Sequence, residues 1–232
     1  MILEVAGLTT YYGSSRALFD VSLRVRAGEV VSLLGRNGAG KTTTMASIVG
    51  MTRSRRGSIE LGGARLDRLA AFKRVRAGLG YVPQSGRVFA GLSVRENLEI
   101  VRGRRLNGDG WSVRRAFEAF PKLAELRERD AGRLSGGERQ MLAVARALMG
   151  NPSIVLLDEP SEGLAPVMVQ SLGQLVCTLR DNGVGVLLAE QNHRFALALA
   201  DRAYIIEKGA IQREGLPGEL MDSPTLEQHL GV

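Results

Sequence analysis

The chain has 232 residues, 44% of them hydrophobic and 24% charged, and its formal net charge is +7 at pH 7. The length suffices for one large α/β domain or one domain carrying a subdomain, and the composition is that of an ordinary soluble globular protein. The apolar runs are far shorter than the roughly 20 residues that a membrane span needs, and the amino terminus lacks the pattern of a signal peptide. A single cysteine, Cys177, excludes an internal disulfide framework and a cysteine-based metal site, so we expect a cytosolic protein.

The positive charge is concentrated between residues 53 and 87, which carry nine lysines and arginines against two acidic residues. Residues 134–232 carry seven basic and twelve acidic residues. A basic stretch can bind nucleic acid or anionic lipid, or it can be a solvated face. No zinc spacing, RNA-binding aromatic signature or heptad pattern accompanies this one. We therefore expect a solvated face and no nucleic acid, with contact to lipid headgroups as the weaker alternative.

Short apolar runs alternate with helical stretches along the chain, which predicts a wound α/β sheet. Val21, Leu23 and Val25 alternate with polar residues, as in a half-exposed strand. Near the end of the chain, a Lys208-Gly209 turn between two apolar runs predicts a short hairpin. Buried strands are predicted at residues 30–34, 154–157 and 184–188.

The pattern changes between Ser93 and Gly132, where buried strand runs stop and charged helical segments take over. Ser93 with Glu96 fits a helix-capping box, and residues 102–110 have the composition of a surface loop. This segment therefore indicates a helical insertion. We predict a single domain, 1–232, with an α/β core formed by residues 1–84 and 134–232 and a helical subdomain at 85–133.

A glycine-rich segment after the first buried strand fits the pattern G-x-x-x-x-G-K-[ST]. Glycines let successive backbone N–H groups point at phosphate oxygens, and the following helix directs its positive end at the same place. Lys41 neutralises phosphate charge, Thr42 can ligate Mg²⁺, and Thr43 can bond a further phosphate oxygen. The predicted nucleotide-binding residues here are Gly35, Arg36, Asn37, Gly38, Ala39, Gly40, Lys41, Thr42 and Thr43.

The buried strand at residues 154–157 ends in two acids, Asp158 and Glu159. An acid at the exposed end of a buried strand can reach a cation beside the phosphates. We expect Asp158 to hold the Mg²⁺ shell and Glu159 to polarise the attacking water. A merely solvated strand end is a credible explanation of either acid alone, but not of the pair together with the Lys41 loop.

Three further segments resemble ATP-binding-cassette (ABC) proteins. Leu134-Ser135-Gly136-Gly137-Glu138, just before a helix predicted at residues 139–149, is similar to the L-S-G-G-Q signature. Gln84, after Tyr81-Val82-Pro83, resembles the family's glutamine that contacts Mg²⁺ and the attacking water. Tyr12 resembles the aromatic residue that stacks on adenine, although it also fits a strand-edge tyrosine. The resemblance assigns Ser135, Gly136, Gly137 and Glu138 to an ATP held by a partner subunit.

The order of these motifs matches the ABC family across nearly the whole chain. That resemblance implies a P-loop NTPase (RecA-like) core with an inserted α-helical subdomain and a small antiparallel β region. It also implies ATP and Mg²⁺ as cofactors and head-to-tail pairing with a second ATPase, identical or related. An ATPase of this family sits on the cytoplasmic face of the plasma membrane, drives integral permease subunits and depends indirectly on an extracytoplasmic solute-binding protein.

Within the family, Ser161-Glu162-Gly163-Leu164-Ala165-Pro166 and Ala189-Glu190-Gln191-Asn192 resemble the ATPases of branched-chain amino acid importers. Relatives of this type also take up urea, amides and other small polar solutes. A soluble ABC-type ATPase acting on nucleic acid or the ribosome is the alternative from another class, but it usually carries paired cassettes or an appended domain. A P-loop GTPase leaves the signature segment unexplained.

Two positions depart from the general family pattern. Gln191 stands where most ABC ATPases have a histidine, and an amide can still donate and accept near the γ-phosphate. We expect Gln191 to take this catalytic position, and not His193, which belongs to the next helix. Ala165 replaces the usual aspartate of the loop after the paired acids. Val88, Phe89, Leu92 and Val94 are candidates for a permease-binding groove or, equally, for packing inside the helical segment.

Overall fold

The computed structural model describes residues 1–101 and 110–221, and the predicted loop at 102–110 lies almost wholly outside these ranges. None of the helices within these ranges combines the length and the hydrophobicity of a transmembrane span. The strands are β1 (Ile2–Tyr12), β2 (Ser15–Arg26), β3 (Val30–Leu34), β4 (Ser54–Leu61), β5 (Ala64–Arg65), β6 (Leu79–Val82), β7 (Ile154–Asp158), β8 (Gly185–Glu190), β9 (Arg202–Glu207) and β10 (Ala210–Gly215). The helices are α1 (Lys41–Val49), α2 (Ala71–Ala77), α3 (Val94–Glu99), α4 (Val113–Ala119), α5 (Pro121–Glu125), α6 (Gly136–Leu148), α7 (Pro166–Asp181), α8 (His193–Leu199) and α9 (Pro217–Met221).

The larger sheet has six strands in the order β10-β9-β3-β8-β7-β6. Strands β9, β3, β8, β7 and β6 run parallel, and β10 closes the edge as the antiparallel partner of β9. Every residue of β3, β7 and β8 is buried, as expected for parallel strands covered on both faces. The predicted buried strands and the hairpin at Lys208-Gly209 are confirmed.

The smaller sheet is antiparallel, with the order β2-β1-β4-β5. Val21, Leu23 and Val25 are buried while their neighbours Ser22 and Arg24 are exposed, which confirms the predicted half-exposed strand. Burial on alternate residues follows from the two-residue period of a strand with one face toward the core. The predicted α/β class with a small antiparallel region is confirmed.

Two hydrophobic clusters cover the two faces of the parallel sheet. Val155 and Leu157 face the cluster that includes α6 and α7, whereas Ile154 and Leu156 face the cluster shared with α1 and the antiparallel sheet. Alternating residues of one buried strand thus serve both cores. This sandwich holds the carboxyl ends of the parallel strands in fixed relative positions.

In the described part of residues 85–133, the chain forms α3, α4 and α5 and no strand beyond the bridge between Ser93 and Asp130. The capping box at Ser93 is present, because its hydroxyl accepts from the N–H of Glu96 and the Glu96 carboxylate accepts from the N–H of Ser93. Val94 is fully buried, so it packs within this segment and is not part of an exposed groove. Phe89 is half exposed and can contact another protein.

Arg74 of α2 is only 4% exposed and ties α2 to the end of α1. Its guanidinium donates to the carbonyls of Ser47 (2.9 Å) and Ile48 (2.8 Å), the last turn of α1. It also donates to the carbonyls of Leu69 (2.9 Å) and Asp67 (3.0 Å). Carbonyls in the last turn of a helix lack a donor four residues further along the helix, and Arg74 supplies one to Ile48 and a second, beside the Gly50 N–H, to Ser47.

We expect Arg74→Met to lower the free energy of unfolding by about 3 kcal/mol, because it leaves buried carbonyls without donors. Arg76→Met is the matched control, since Arg76 is an exposed residue of the same helix and should change stability by less than about 0.5 kcal/mol. Denaturant unfolding of the two variants measures the difference. Equal stabilities would mean that Arg74 does not hold α1 and α2 together.

Candidate active site

The predicted site residues follow four neighbouring strands of the parallel sheet. Lys41 begins α1 after β3, Gln84 follows β6, Asp158 ends β7 and Gln191 follows β8. Because β3, β8, β7 and β6 are adjacent and parallel, their carboxyl ends meet at one edge of the sheet. Ligands of open α/β sheets bind outside this edge. The fold therefore brings residues distant in sequence to one place.

The loop between β3 and α1 takes its shape from its glycines. Gly38 (φ 79°) and Gly40 (φ 114°) lie in the left-handed region, which costs glycine little and other residues much more. At Gly35 a Cβ atom would lie 2.5 Å from the carbonyl oxygen of Ile206. The three positions thus require glycine for backbone reasons, and the resulting curl places the start of α1 against the loop.

Lys41 is buried at the centre of the site, with 3% of its surface exposed. Its ammonium donates to the carbonyls of Gly35 (2.6 Å) and Arg36 (3.1 Å) and forms an ion pair with Glu159 at 3.0 Å. An ammonium has three N–H donors, so these partners use all of them. A phosphate that binds Lys41 therefore has to displace one, and Glu159 is the side-chain partner that can rotate away.

Asp158 accepts two hydroxyl hydrogen bonds, from Thr42 (3.1 Å) and from Tyr81 (3.2 Å). Burial raises the pKa of the Asp158 carboxyl, and the bonds from Thr42 and Tyr81 oppose that shift. Burial also raises the pKa of Tyr81, so its phenol remains a donor. The oxygens of Asp158 and Thr42 are the kind of ligand that Mg²⁺ prefers, so this pair fits the metal.

Glu159 is 6% exposed and has φ 46°, a conformation that costs a non-glycine residue about 1–3 kcal/mol and is typical of functional positions. Gln84 donates its side-chain N–H to Glu159 at 3.3 Å and also to Glu162. The structure thus brings Gln84 to Glu159, and its contact with Mg²⁺ and the attacking water stays a prediction. The role of Glu162 as a second acceptor for Gln84 was not predicted, and its motif gave no signal for it.

Glu190 connects the loop after Glu159 to the loop that carries Gln191. Its carboxylate accepts the N–H of Ser161 at 3.0 Å, and burial raises its pKa. Gln191 itself is exposed. His193 is half-buried and begins α8, as expected. The sequence predicts a role for Gln191 but none for its buried neighbour Glu190.

A cavity of about 330 Å³ opens beside Lys41. Tyr12 is 54% exposed and does not line it, so its assignment to adenine gains no support from this cavity and stays a prediction. Arg16 and Phe19 of β2 and Lys208 of the β9–β10 turn do line it, with the Arg16 guanidinium 4.5 Å from the Phe19 ring centroid. Sequence reasoning missed these three residues, because only the packing of the hairpin against β2 brings them to the loop.

The signature residues form the first turn of α6, which begins at Gly136 and not at 139 as predicted. Ser135 and Glu138 form a capping box in which Glu138 donates its N–H to the Ser135 hydroxyl (3.3 Å) and its carboxylate accepts the Ser135 N–H (2.8 Å). The bond from the Ser135 N–H lowers the pKa of the Glu138 carboxyl. Ser135 and Gly136 are exposed, and none of residues 135–138 lines the cavity beside Lys41. This turn faces solvent and is accessible to another chain.

The model of the ABC transporter family matches residues 18–162, from β2 to the loop after the paired acids. The chain belongs to the ABC transporter ATP-binding family. It is therefore an ATP-hydrolysing subunit of a transporter, with the P-loop NTPase fold.

Curated relatives of this ABC ATPase cover almost its full length. It is 43% identical over 99% of its length to the whole of BraG of Pseudomonas aeruginosa, a high-affinity branched-chain amino acid transport ATP-binding protein. It is also 39% identical to LptB of Escherichia coli K12, a lipopolysaccharide export system ATP-binding protein, over 94% of this chain and 92% of LptB.

Solved structures of ATP-binding cassettes share the fold of this ABC ATPase. The ADP conformation of MJ1267 has a TM-score of 0.84 and 27% identity, covering 98% of this chain and 97% of that one. A dimeric post-hydrolysis state of MJ0796 with ADP and Pi has a TM-score of 0.78 and 26% identity, covering 93% and 98%.

Proposed function

We propose that this ABC ATPase drives the uptake of branched-chain amino acids, or a similar small polar solute, through a membrane permease. The 43% identity to BraG over the full length supports this solute class. The segments from Ser161 to Pro166 and from Ala189 to Asn192 resemble the same group. The single observation that carries the ATPase chemistry is the meeting of Lys41, Asp158, Glu159 and Gln84 at the carboxyl ends of three strands, β3, β7 and β6, of the parallel sheet.

In the proposed mechanism, the loop before Lys41 presents backbone N–H groups to the β- and γ-phosphates, and Lys41 exchanges Glu159 for a phosphate oxygen. Glu159, once free of Lys41, orients the attacking water and accepts its proton, and Gln84 holds Glu159 in place by its amide. Mg²⁺, held by Thr42 and Asp158 with Gln84 beside them, would neutralise charge on the phosphates. The loop N–H groups and Lys41 are already positioned where negative charge develops on the phosphates during the reaction.

We further propose that Ser135, Gly136, Gly137 and Glu138 complete the site of a second ATPase subunit. The exposure of Ser135 and Gly136, and the position of all four residues at the amino end of the thirteen-residue helix α6, suit a phosphate group. MJ0796, a cassette with the same fold, is dimeric in its post-hydrolysis state. Half-exposed Phe89 lies in the segment after Gln84 and is the proposed contact to the permease.

Lipopolysaccharide export is the second candidate, because LptB is 39% identical over most of the chain. ATP turnover of the ATPase reconstituted with its permease and solute-binding protein distinguishes import from lipopolysaccharide export. We expect leucine, isoleucine or valine to raise ATP turnover several-fold, and lipopolysaccharide to leave it unchanged. Stimulation by lipopolysaccharide alone would overturn the import proposal, and stimulation by urea or an amide alone would replace the solute class.

Gln191 is proposed to contact the γ-phosphate as an amide. We expect Gln191→Ala to lower ATP turnover about tenfold, the cost of one lost hydrogen bond to a charged group. His193→Ala, two residues along, should leave turnover within about twofold. Steady-state ATPase assays of the assembled complex measure both, and loss of activity in the His193 variant alone would reverse the assignment.

A further inference from the structure

A second cavity, of about 700 Å³, lies between the end of α1, strand β4 and the start of α2. It shares no residue with the cavity beside Lys41. Asp67 is the acidic residue among those that line it. The basic residues that line it are all arginines, namely Arg53, Arg55, Arg56, Arg65, Arg68 and Arg74.

Three of these arginines have protein partners that hold the cavity in shape. Arg74 is buried, and its guanidinium donates four hydrogen bonds to carbonyls, including those at the end of α1. Arg65 forms an ion pair with Asp67 at 2.7 Å, which consumes the one acidic side chain of the lining. Arg55 donates to the carbonyl of Gly13 at 3.0 Å and lies 4.4 Å from the ring centroid of Tyr11.

The other three, Arg53, Arg56 and Arg68, are exposed, and their guanidinium groups make no hydrogen bond or ion pair to any part of the chain that the structure describes. Three cations that share a concave surface repel one another, and no carboxylate of the lining remains to offset them. Because Arg74 already covers the carbonyls at the end of α1, the negative end of that helix is also screened from the cavity. The concave surface therefore presents unpaired positive charge.

We propose that this cavity binds a phosphate group through Arg53, Arg56 and Arg68. Guanidinium groups bind phosphate oxygens in bidentate fashion, and clustered arginines are a common form of phosphate site. The group is carried either by the headgroup of an anionic phospholipid or by a free phosphate compound, since both present the same anion. The site is separate from ATP hydrolysis and stands whichever solute the transporter carries.

The test compares two triple variants with the same loss of charge. Arg53→Gln/Arg56→Gln/Arg68→Gln removes the unpaired arginines of the cavity. Arg114→Gln/Arg127→Gln/Arg133→Gln removes three exposed arginines elsewhere, each within 3.5–3.7 Å of an acidic side chain. Pyrophosphate binding is measured by calorimetry, and vesicle binding is measured by flotation with phosphatidylcholine alone or mixed with phosphatidylglycerol. All variants keep the loop at Lys41, so its own phosphate binding cancels in the comparison.

We expect the cavity variant to bind at least one probe about tenfold more weakly than wild type, with the control variant within about threefold. A loss confined to phosphatidylglycerol vesicles identifies lipid as the source, and a loss of pyrophosphate binding identifies a free phosphate compound. Equal binding of the two variants to both probes would overturn the proposal. Binding of single-stranded DNA that only the cavity variant loses, with both phosphate probes unaffected, would overturn it as well.

Discussion

Replacement of Glu159 by glutamine is expected to lower ATP turnover by about 100- to 10,000-fold, the range for loss of a general base. The amide keeps the shape of the side chain and its hydrogen-bonding oxygen, but it cannot accept a proton from water. The ion pair to Lys41 at 3.0 Å is lost, so phosphate no longer competes with a carboxylate for Lys41. Mg-ATP should therefore bind at least as tightly as in wild type.

Glu162→Gln is the matched control for this prediction, because Glu162 also accepts a bond from Gln84 and lies three residues along the same loop. It should change turnover by less than about tenfold. Single-turnover hydrolysis and nucleotide binding, measured on the same preparations, separate chemistry from affinity. Near wild-type turnover in Glu159→Gln, or an equal loss in Glu162→Gln, would remove the catalytic assignment.

Replacement of Lys41 by alanine is expected to weaken ATP binding by at least about thirtyfold, since truncating one partner of a buried charged contact costs about 2–5 kcal/mol. The same change leaves the buried carboxylate of Glu159 without its cation. A buried charge that loses its partner destabilises a protein by about 3–5 kcal/mol. One substitution should thus lower both the affinity for nucleotide and the free energy of unfolding.

The double variant Lys41→Ala/Glu159→Gln distinguishes these two effects. It removes both charges, so it should recover most of the stability lost in Lys41→Ala and none of the affinity. Denaturant unfolding and ATP binding, measured for the two single variants and the double variant, form the test. A double variant as unstable as Lys41→Ala would mean that the ion pair is not what Lys41 contributes to the fold.

The local parts of the site could be predicted from the sequence because neighbouring residues determine them. Gly38 and Gly40 adopt positive φ angles, and the turn of the loop alone requires this backbone conformation. The apolar runs before Lys41 and Asp158 form central parallel strands. A strand with apolar residues on both faces is stable only where both faces are covered. Because adjacent parallel strands run in the same direction, their carboxyl ends necessarily lie at the same edge of the sheet.

The contacts that the sequence did not reveal all join segments that are far apart along the chain. The bond from Gln84 to Glu162 depends on how two loops pack, and Lys208 reaches the cavity beside Lys41 only because the hairpin packs against β2. For Val94 the sequence predicts a permease-binding groove and packing inside the helical segment equally, and its full burial among the helices favours the packing. These contacts depend on how helices, strands and loops pack against one another, and a local sequence pattern does not predict that packing.

The head-to-tail pairing of ATPase subunits is tested most directly by a disulfide crosslink. In a Cys177→Ser, Glu159→Gln background, one population of the chain carries Asn37→Cys in the phosphate loop and another carries Ser135→Cys in the signature turn. We expect a crosslinked dimer when the two populations are mixed with Mg-ATP under mild oxidation, and little crosslinking without nucleotide. Absence of this crosslink from an ATP-trapped dimer would contradict it.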